Sequence, residues 1–258
     1  MKKLHVESPT KMGPMDLIWT WLIVVPAMAI STIVCGTISL LFALFGSGER
    51  RQIEVGRRWA RSLLWLARTK VEVTGLERID RNGSYVFVSN HLSYMDTPVV
   101  FSFIPLQFRF LAKKGLFQIP FMGWHLSTAG HIPVPREDPR SSIRTLSRAA
   151  ELIQTRGISL LIFPEGGRTM DGELHEFKDG AAYLAIKAKA ALVPLALIGT
   201  REVLPMGSST IHPGHVRLIV GEPLPTSGMT LHDRRRLTDQ AREQVAAMFG
   251  RAISLGTR

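Results

Sequence analysis

The distribution of apolar and polar positions divides the chain into three parts. Between Asp16 and Glu49 no residue carries a formal charge, and Leu17 to Phe45 is dominated by Leu, Ile, Val, Ala, Phe and Trp. As one straight helix that run would be roughly 43 Å long, beyond the ~30 Å hydrocarbon core of a bilayer. Pro26 and Gly36 are positions where it could break, so the run predicts either one tilted span or two shorter helices dipping into one leaflet. It is longer than the ~7–15-residue core of a signal peptide, which argues against cleavage. Residues 49–70 then take up helical spacing. Ile53, Trp59, Ala60, Leu63, Leu64 and Ala67 form one side, among Arg50, Arg51, Arg57, Arg58, Arg61, Arg68 and Lys70. This is the pattern of a basic amphipathic helix, with Trp59 and Trp65 available at headgroup level.

From Val71 onward short apolar runs alternate with helical patterns. Strands are predicted at Val71–Thr74, Tyr85–Ser89, Arg109–Ala112, His131–Val134, Ile158–Phe163, Leu192–Ile198 and Val216–Val220. Helices are predicted at Thr97–Ile104, Pro139–Thr155, Gly180–Ala190 and Leu231–Ile253, the last with Leu237, Ala241, Val245 and Met248 on one side. Strands separated by helices imply an α/β domain with a mostly parallel or mixed sheet flanked by helices. Pro194 inside an apolar strand predicts an edge or a strand start. The expected organisation is a membrane-anchoring element at 1–70, apolar over 17–45 and basic over 49–70, followed by one domain at 71–258.

Composition narrows the partners. A net charge of +11 over 258 residues calls for an anionic partner. Much of that charge flanks the apolar run, which favours an anionic membrane surface and disfavours nucleic acid. It is heavier after the run than before it, so by the positive-inside tendency the main domain faces the cytoplasm. The single cysteine, Cys35, provides neither a disulfide framework nor a thiolate metal site and fits a reducing compartment.

Two stretches carry chemistry. In the first, Val86-Phe87-Val88-Ser89-Asn90-His91-Leu92-Ser93-Tyr94-Met95-Asp96, a buried strand ends in a polar turn and Asp96-Thr97-Pro98 opens a helix as an N-cap with a first-turn proline. On a continuous helix His91 and Asp96 would point about 140° apart, but a strand-loop-helix corner can pair them. The carboxylate then fixes the imidazole tautomer and leaves the second ring nitrogen to act as a general base. In the second stretch, Ile162-Phe163-Pro164-Glu165-Gly166-Gly167-Arg168-Thr169, another strand ends in a glycine turn. Arg168 offers a planar fork for phosphate oxygens, and Glu165 could hold Arg168 or bind a substrate hydroxyl. Both loops lie at carboxyl ends of strands, where open α/β sheets bind ligands. Lys113, Lys114 and Arg136 also follow strand-like runs and could face the same crevice.

Four pieces in this order, His-x₄-Asp, Gly-x₄-Pro-Arg, Phe-Pro-Glu-Gly-x-Arg and Val-Pro, resemble the glycerolipid acyltransferase family, and within it the bacterial 1-acylglycerol-3-phosphate acyltransferases. The resemblance runs from about Val71 to Pro223. It implies the glycerol-3-phosphate acyltransferase-like fold, with His91 as general base, Asp96 as its partner, and Lys113, Arg136, Glu165, Gly166 and Arg168 around the acceptor phosphate and glycerol. Direct transfer from acyl-CoA or acyl carrier protein (acyl-ACP) to the 2-hydroxyl of lysophosphatidic acid is implied, at the cytoplasmic (inner) membrane, with no metal or resident cofactor. A related acceptor, such as glycerol 3-phosphate, a lyso-ornithine lipid or another lysophospholipid, is the nearest alternative. A serine esterase using Ser93 or Ser89 lacks a Gly-x-Ser-x-Gly elbow. A non-catalytic membrane-binding protein is the third.

Overall fold

The computed structural model describes residues 14–256 except 47, 136 and 137. Seven strands, β1 (Thr69–Thr74), β2 (Tyr85–Ser89), β3 (Phe108–Lys113), β4 (Ile132–Val134), β5 (Ser159–Ile162), β6 (Ala191–Ile198) and β7 (Gly214–Val220), form one sheet in the order β1-β7-β6-β2-β5-β3-β4. Every adjacent pair is parallel except β6 and β7, so the sheet is mostly parallel and mixed, as the alternation of strands and helices implied.

The sheet is covered on both faces, and the period of 2 along β2 shows how. Phe87 faces a core shared with α3 (Gly48–Leu66) and α4 (Asp96–Phe103), through Ile53, Leu64, Val99 and Phe101. Val86 and Val88 face the opposite core, against Ala149 and Ile153 of α6 (Pro139–Arg156), Leu184 of α7 (Gly180–Ala188), and Leu237 and Ala241 of α9 (Arg234–Gly256). A strand buried on both faces must be apolar throughout, which is why the run before His91 does not alternate.

The structure overturns the expectation for Pro194, which lies in the middle of β6, a central strand. It sits where pairing with β7 gives out: the β7 ladder ends at Val220, and the Gly221 N–H donates to the Pro194 carbonyl at 2.7 Å. The missing proline N–H therefore falls at a discontinuity in the ladder.

The N-terminal run breaks at neither Pro26 nor Gly36. After α1 (Pro14–Trp19), a π-turn over Thr20–Val24 leads into α2 (Val25–Leu44), and Leu17–Leu44 is one apolar helical stretch, most of it exposed. The π-turn absorbs the clash between a helical proline and the preceding turn. At Gly36 a Cβ would stand 2.7 Å from Phe121 Cβ, so this glycine admits close packing and does not end the helix. The stretch lies antiparallel along α3. Arg68 stacks on Trp19, the hydroxyls of Ser31 and Ser62 are 2.6 Å apart, Trp59 Nε1 donates to Thr32 Oγ1, and Arg51 lies over Phe42. On α3, Arg57 donates to the carbonyls of Ile104 and Leu106, and Arg61 to that of Ser102. These two charges serve carbonyls at and just past the end of α4, and so do not belong to a free basic side of α3.

Candidate active site

β2 ends at Ser89, and Asn90 prolongs its pairing with β6 by side chain: Nδ2 donates to the Leu197 carbonyl, and the Leu197 N–H donates to Oδ1, both at 2.8 Å. The backbone then turns away and presents His91. Asp96 Oδ2 lies 2.8 Å from His91 Nδ1 and also accepts the N–H groups of Leu92 at 2.8 Å and Ser93 at 2.9 Å. Asp96 therefore faces back into the corner. It is the first residue of α4, and Met95, without a side-chain cap bond, occupies the position before it, so the expected N-cap role is not the one observed. Two backbone donors and the ring converge on one fully buried oxygen, which favours the Nδ1–H tautomer and turns Nε2 to the other side of the ring. The ring stacks on Phe163, with centroids 3.8 Å apart and planes at 11°.

The loop after β5 locks onto this corner. Glu165 Oε1 accepts the His91 N–H at 2.8 Å, and Oε2 accepts the His175 N–H at 3.4 Å. Burial pushes the Glu165 carboxyl up to about 7, against the pull of these two bonds. Glu165 thus fixes the histidine's backbone, a role different from either one proposed from sequence. Gly166 turns at φ +80°, a left-handed conformation that favours glycine. Arg168 Nε donates to the Ser93 carbonyl at 3.1 Å, its guanidinium lies 4.1 Å from the Tyr94 ring centroid, and the Thr169 N–H donates to the His91 carbonyl at 3.0 Å.

His91, Lys113, Gly167 and Arg168 share the lining of a cavity of about 230 Å³. Its other walls are mainly apolar: Phe101, Phe110 and Leu111 from the domain, Leu116, Phe121 and Met122 from the segment after β3, and Cys35, Val55 and Trp59 from the N-terminal helices. His125 and His131 also line it. Burial lowers His125 to about 4 and His131 well below its usual range, so both imidazoles are neutral near pH 7 and the wall carries no charge there.

Of the residues expected from sequence, the structure brings together His91, Asp96, Lys113, Glu165, Gly166 and Arg168; Arg136 lies outside the described residues. The serine alternative fails on geometry. Ser93 Oγ donates to the Leu204 carbonyl at 2.8 Å and accepts the Met95 N–H, and Ser89 is fully buried. The stacking of Phe163 on His91 and of Arg168 on Tyr94 is not assigned from sequence, although both aromatics stand within the two motif stretches.

The acyltransferase family model matches residues 70–198, half of the chain, and the chain belongs to that family. It is 36% identical over 209 residues to the chloroplastic 1-acyl-sn-glycerol-3-phosphate acyltransferase LPAT1 of Arabidopsis thaliana, a match covering 80% of this chain and 56% of that protein. The chain thus spans little more than half the length of that relative. The 1-acyl-sn-glycerol-3-phosphate acyltransferase of Pseudomonas aeruginosa is 28% identical over 205 residues, covering 78% of this chain and 79% of that one. Among solved structures, the 1-acyl-sn-glycerophosphate (LPA) acyltransferase PlsC of Thermotoga maritima has the same fold, with a TM-score of 0.76, 24% identity, and coverage of 91% and 98% respectively.

Proposed function

We propose that this acyltransferase moves a fatty acyl group from an acyl thioester to the 2-hydroxyl of lysophosphatidic acid, giving phosphatidic acid. The observation that carries the reading is the His91–Asp96 pair at a cavity with largely apolar walls, whose polar lining includes Lys113 and Arg168. The names of the relatives agree with it.

In this reading His91 Nε2 takes the hydroxyl proton as the oxygen attacks the thioester carbonyl, and Asp96 stabilises the imidazolium. The new C–O bond forms, the C–S bond breaks, and the departing thiolate recovers the proton. No acyl-enzyme is needed. Lys113, Arg168 and, by family likeness, Arg136 hold the acceptor phosphate and so place the hydroxyl against His91, where orientation supplies much of the rate. Glu165 and Gly166 shape the loop that carries Arg168. The acyl chain occupies the cavity, the donor is acyl-CoA or acyl-ACP, and neither a metal nor a resident cofactor is required.

The one-tailed acceptor and the two-tailed product both reside in a bilayer, and the helical hairpin suits that. Because α2 is bound along α3, a perpendicular span would carry Arg50, Arg51 and Arg58 into hydrocarbon, at roughly 2.5–3.5 kcal/mol for each one at the centre. A hairpin lying in one leaflet, with the domain on the cytoplasmic side, avoids that cost and keeps the cavity at headgroup level.

The test is phosphatidic acid formation in detergent micelles from oleoyl-CoA or palmitoyl carrier protein, comparing the parent with His91→Ala and Arg168→Ala. An active parent, an inert His91→Ala and an Arg168→Ala weakened mainly in acceptor KM are expected. Full activity in His91→Ala refutes the mechanism, and a folded parent that uses only another acceptor refutes the substrate.

A further inference from the structure

From His91 to Asp96 every residue is buried except Tyr94, which is 54% exposed. Leu92 and Met95 belong to the buried interior, and Ser93 is tied to Leu204. An aromatic side chain turned outward from so closed a corner needs a reason, and Arg168 supplies one. Its guanidinium is held on one face by the Tyr94 ring at 4.1 Å and along one edge by the Ser93 carbonyl, which accepts from Nε at 3.1 Å.

Both holders belong to the peptide that carries the base, with Ser93 two residues and Tyr94 three residues after His91. Arg168 comes from a different loop, where it lies half-buried between the exposed Gly167 and the buried Thr169. The bond to Ser93 holds one nitrogen, and the ring adds a contact with the face of the fork. With the ring beneath it, the plane is set, and the terminal nitrogens keep one orientation relative to His91 in the cavity they both line.

We infer that Tyr94 is a positioning residue for the acceptor: its ring orients Arg168 so that an anionic headgroup bound there presents its hydroxyl to His91. This rests on the reading of Arg168 as a phosphate-binding group given above. Tyr94 acts through the ring face, so its hydroxyl is dispensable.

The experiment measures kcat and KM for lysophosphatidic acid, and for monoacylglycerol as an acceptor lacking the phosphate, in the parent, Tyr94→Ala, Tyr94→Phe, Arg168→Ala and the Tyr94→Ala/Arg168→Ala double variant. Loss of a partly exposed cation–π contact predicts a roughly two- to thirty-fold rise in the lysophosphatidic acid KM of Tyr94→Ala, with kcat near that of the parent. Tyr94→Phe should match the parent, monoacylglycerol kinetics should not respond, and Tyr94→Ala should add nothing once Arg168 is alanine. A Tyr94→Phe variant as weak as Tyr94→Ala overturns the inference, because the hydroxyl would then be the working group. Equal losses on both acceptors, or additive losses in the double variant, overturn it as well. A parent inactive on lysophosphatidic acid refutes the functional reading instead, and the inference falls with it.

Discussion

Replacing Asp96 by asparagine removes a charge and leaves the shape of the corner in place. Oδ2 of this fully buried residue accepts from His91 Nδ1, Leu92 N and Ser93 N at 2.8, 2.8 and 2.9 Å. The two backbone donors decide how the new amide faces, since turning its NH₂ toward them would set donor against donor. The amide oxygen therefore takes the Oδ2 position, and His91 keeps its proton on Nδ1. Hydrogen bonds to a charged group are worth about 1.5–3 kcal/mol net, against about 1 kcal/mol for neutral pairs, so the imidazolium formed during transfer loses about 0.5–2 kcal/mol. At ~1.4 kcal/mol per decade, kcat should fall roughly two- to thirty-fold, with the melting temperature close to the parent's. Asp96→Ala behaves differently, because it orphans two buried N–H groups at about 1–3 kcal/mol each, a large part of a domain's total stability. The assay is kcat for phosphatidic acid formation at saturating donor and acceptor, beside a melting curve. A folded Asp96→Asn variant as inactive as His91→Ala, or as active as the parent, refutes this account of the pair.

Two further expectations follow from groups around the corner. Glu165 is raised to about 7 by burial, so its contribution to stability is full below the unfolded carboxyl value near 4.5 and is lost as pH rises through about 7. Glu165→Gln lacks that titration, so the melting temperature of the parent minus that of the variant should fall between pH 4.5 and 8; a difference independent of pH contradicts the assignment. Cys35 lines the cavity from α2, so Cys35→Phe should shorten the range of acyl chains accepted while sparing short ones, which a panel of acyl-CoA lengths would reveal. Unchanged chain preference would place the acyl chain elsewhere.

Local sequence patterns disclose the fold well because each element is decided by its own residues. The apolar runs of β2, β5 and β6 mark strands covered on both sides, and the spacing of Leu237, Ala241 and Val245 marks the buried side of α9. The pairing of His91 with Asp96 is legible for the same reason, since both lie within one short corner. What sequence leaves hidden depends on partners distant along the chain. Glu165 receives the N–H of His91, Arg57 turns inward because α4 ends beside it, and Gly36 is required by Phe121. Pro26 misleads because the cost of a helical proline can be absorbed in one π-turn.

The same distinction bears on what the N-terminal helices do. In sequence they read as an anchor preceding a catalytic domain, because hydropathy reports the surface a helix offers to lipid. In the structure Ile53, Ala60 and Leu64 of α3 belong to the main core, and Cys35 and Gly36 of α2 close the cavity together with Phe101 and Phe121. Ser39 Oγ, bonded to His125 Nδ1 at 2.7 Å, ties α2 to α5 (Met122–Thr128), and the neutral state of that imidazole avoids a buried charge at the join. The outward face of the hairpin is free to meet a lipid surface, while its inward face is a wall of the cavity. In the proposed function an acyl chain passes between a bilayer and the His91 corner along apolar surface without crossing water, a path that a hairpin facing lipid on one side and walling the cavity on the other would supply.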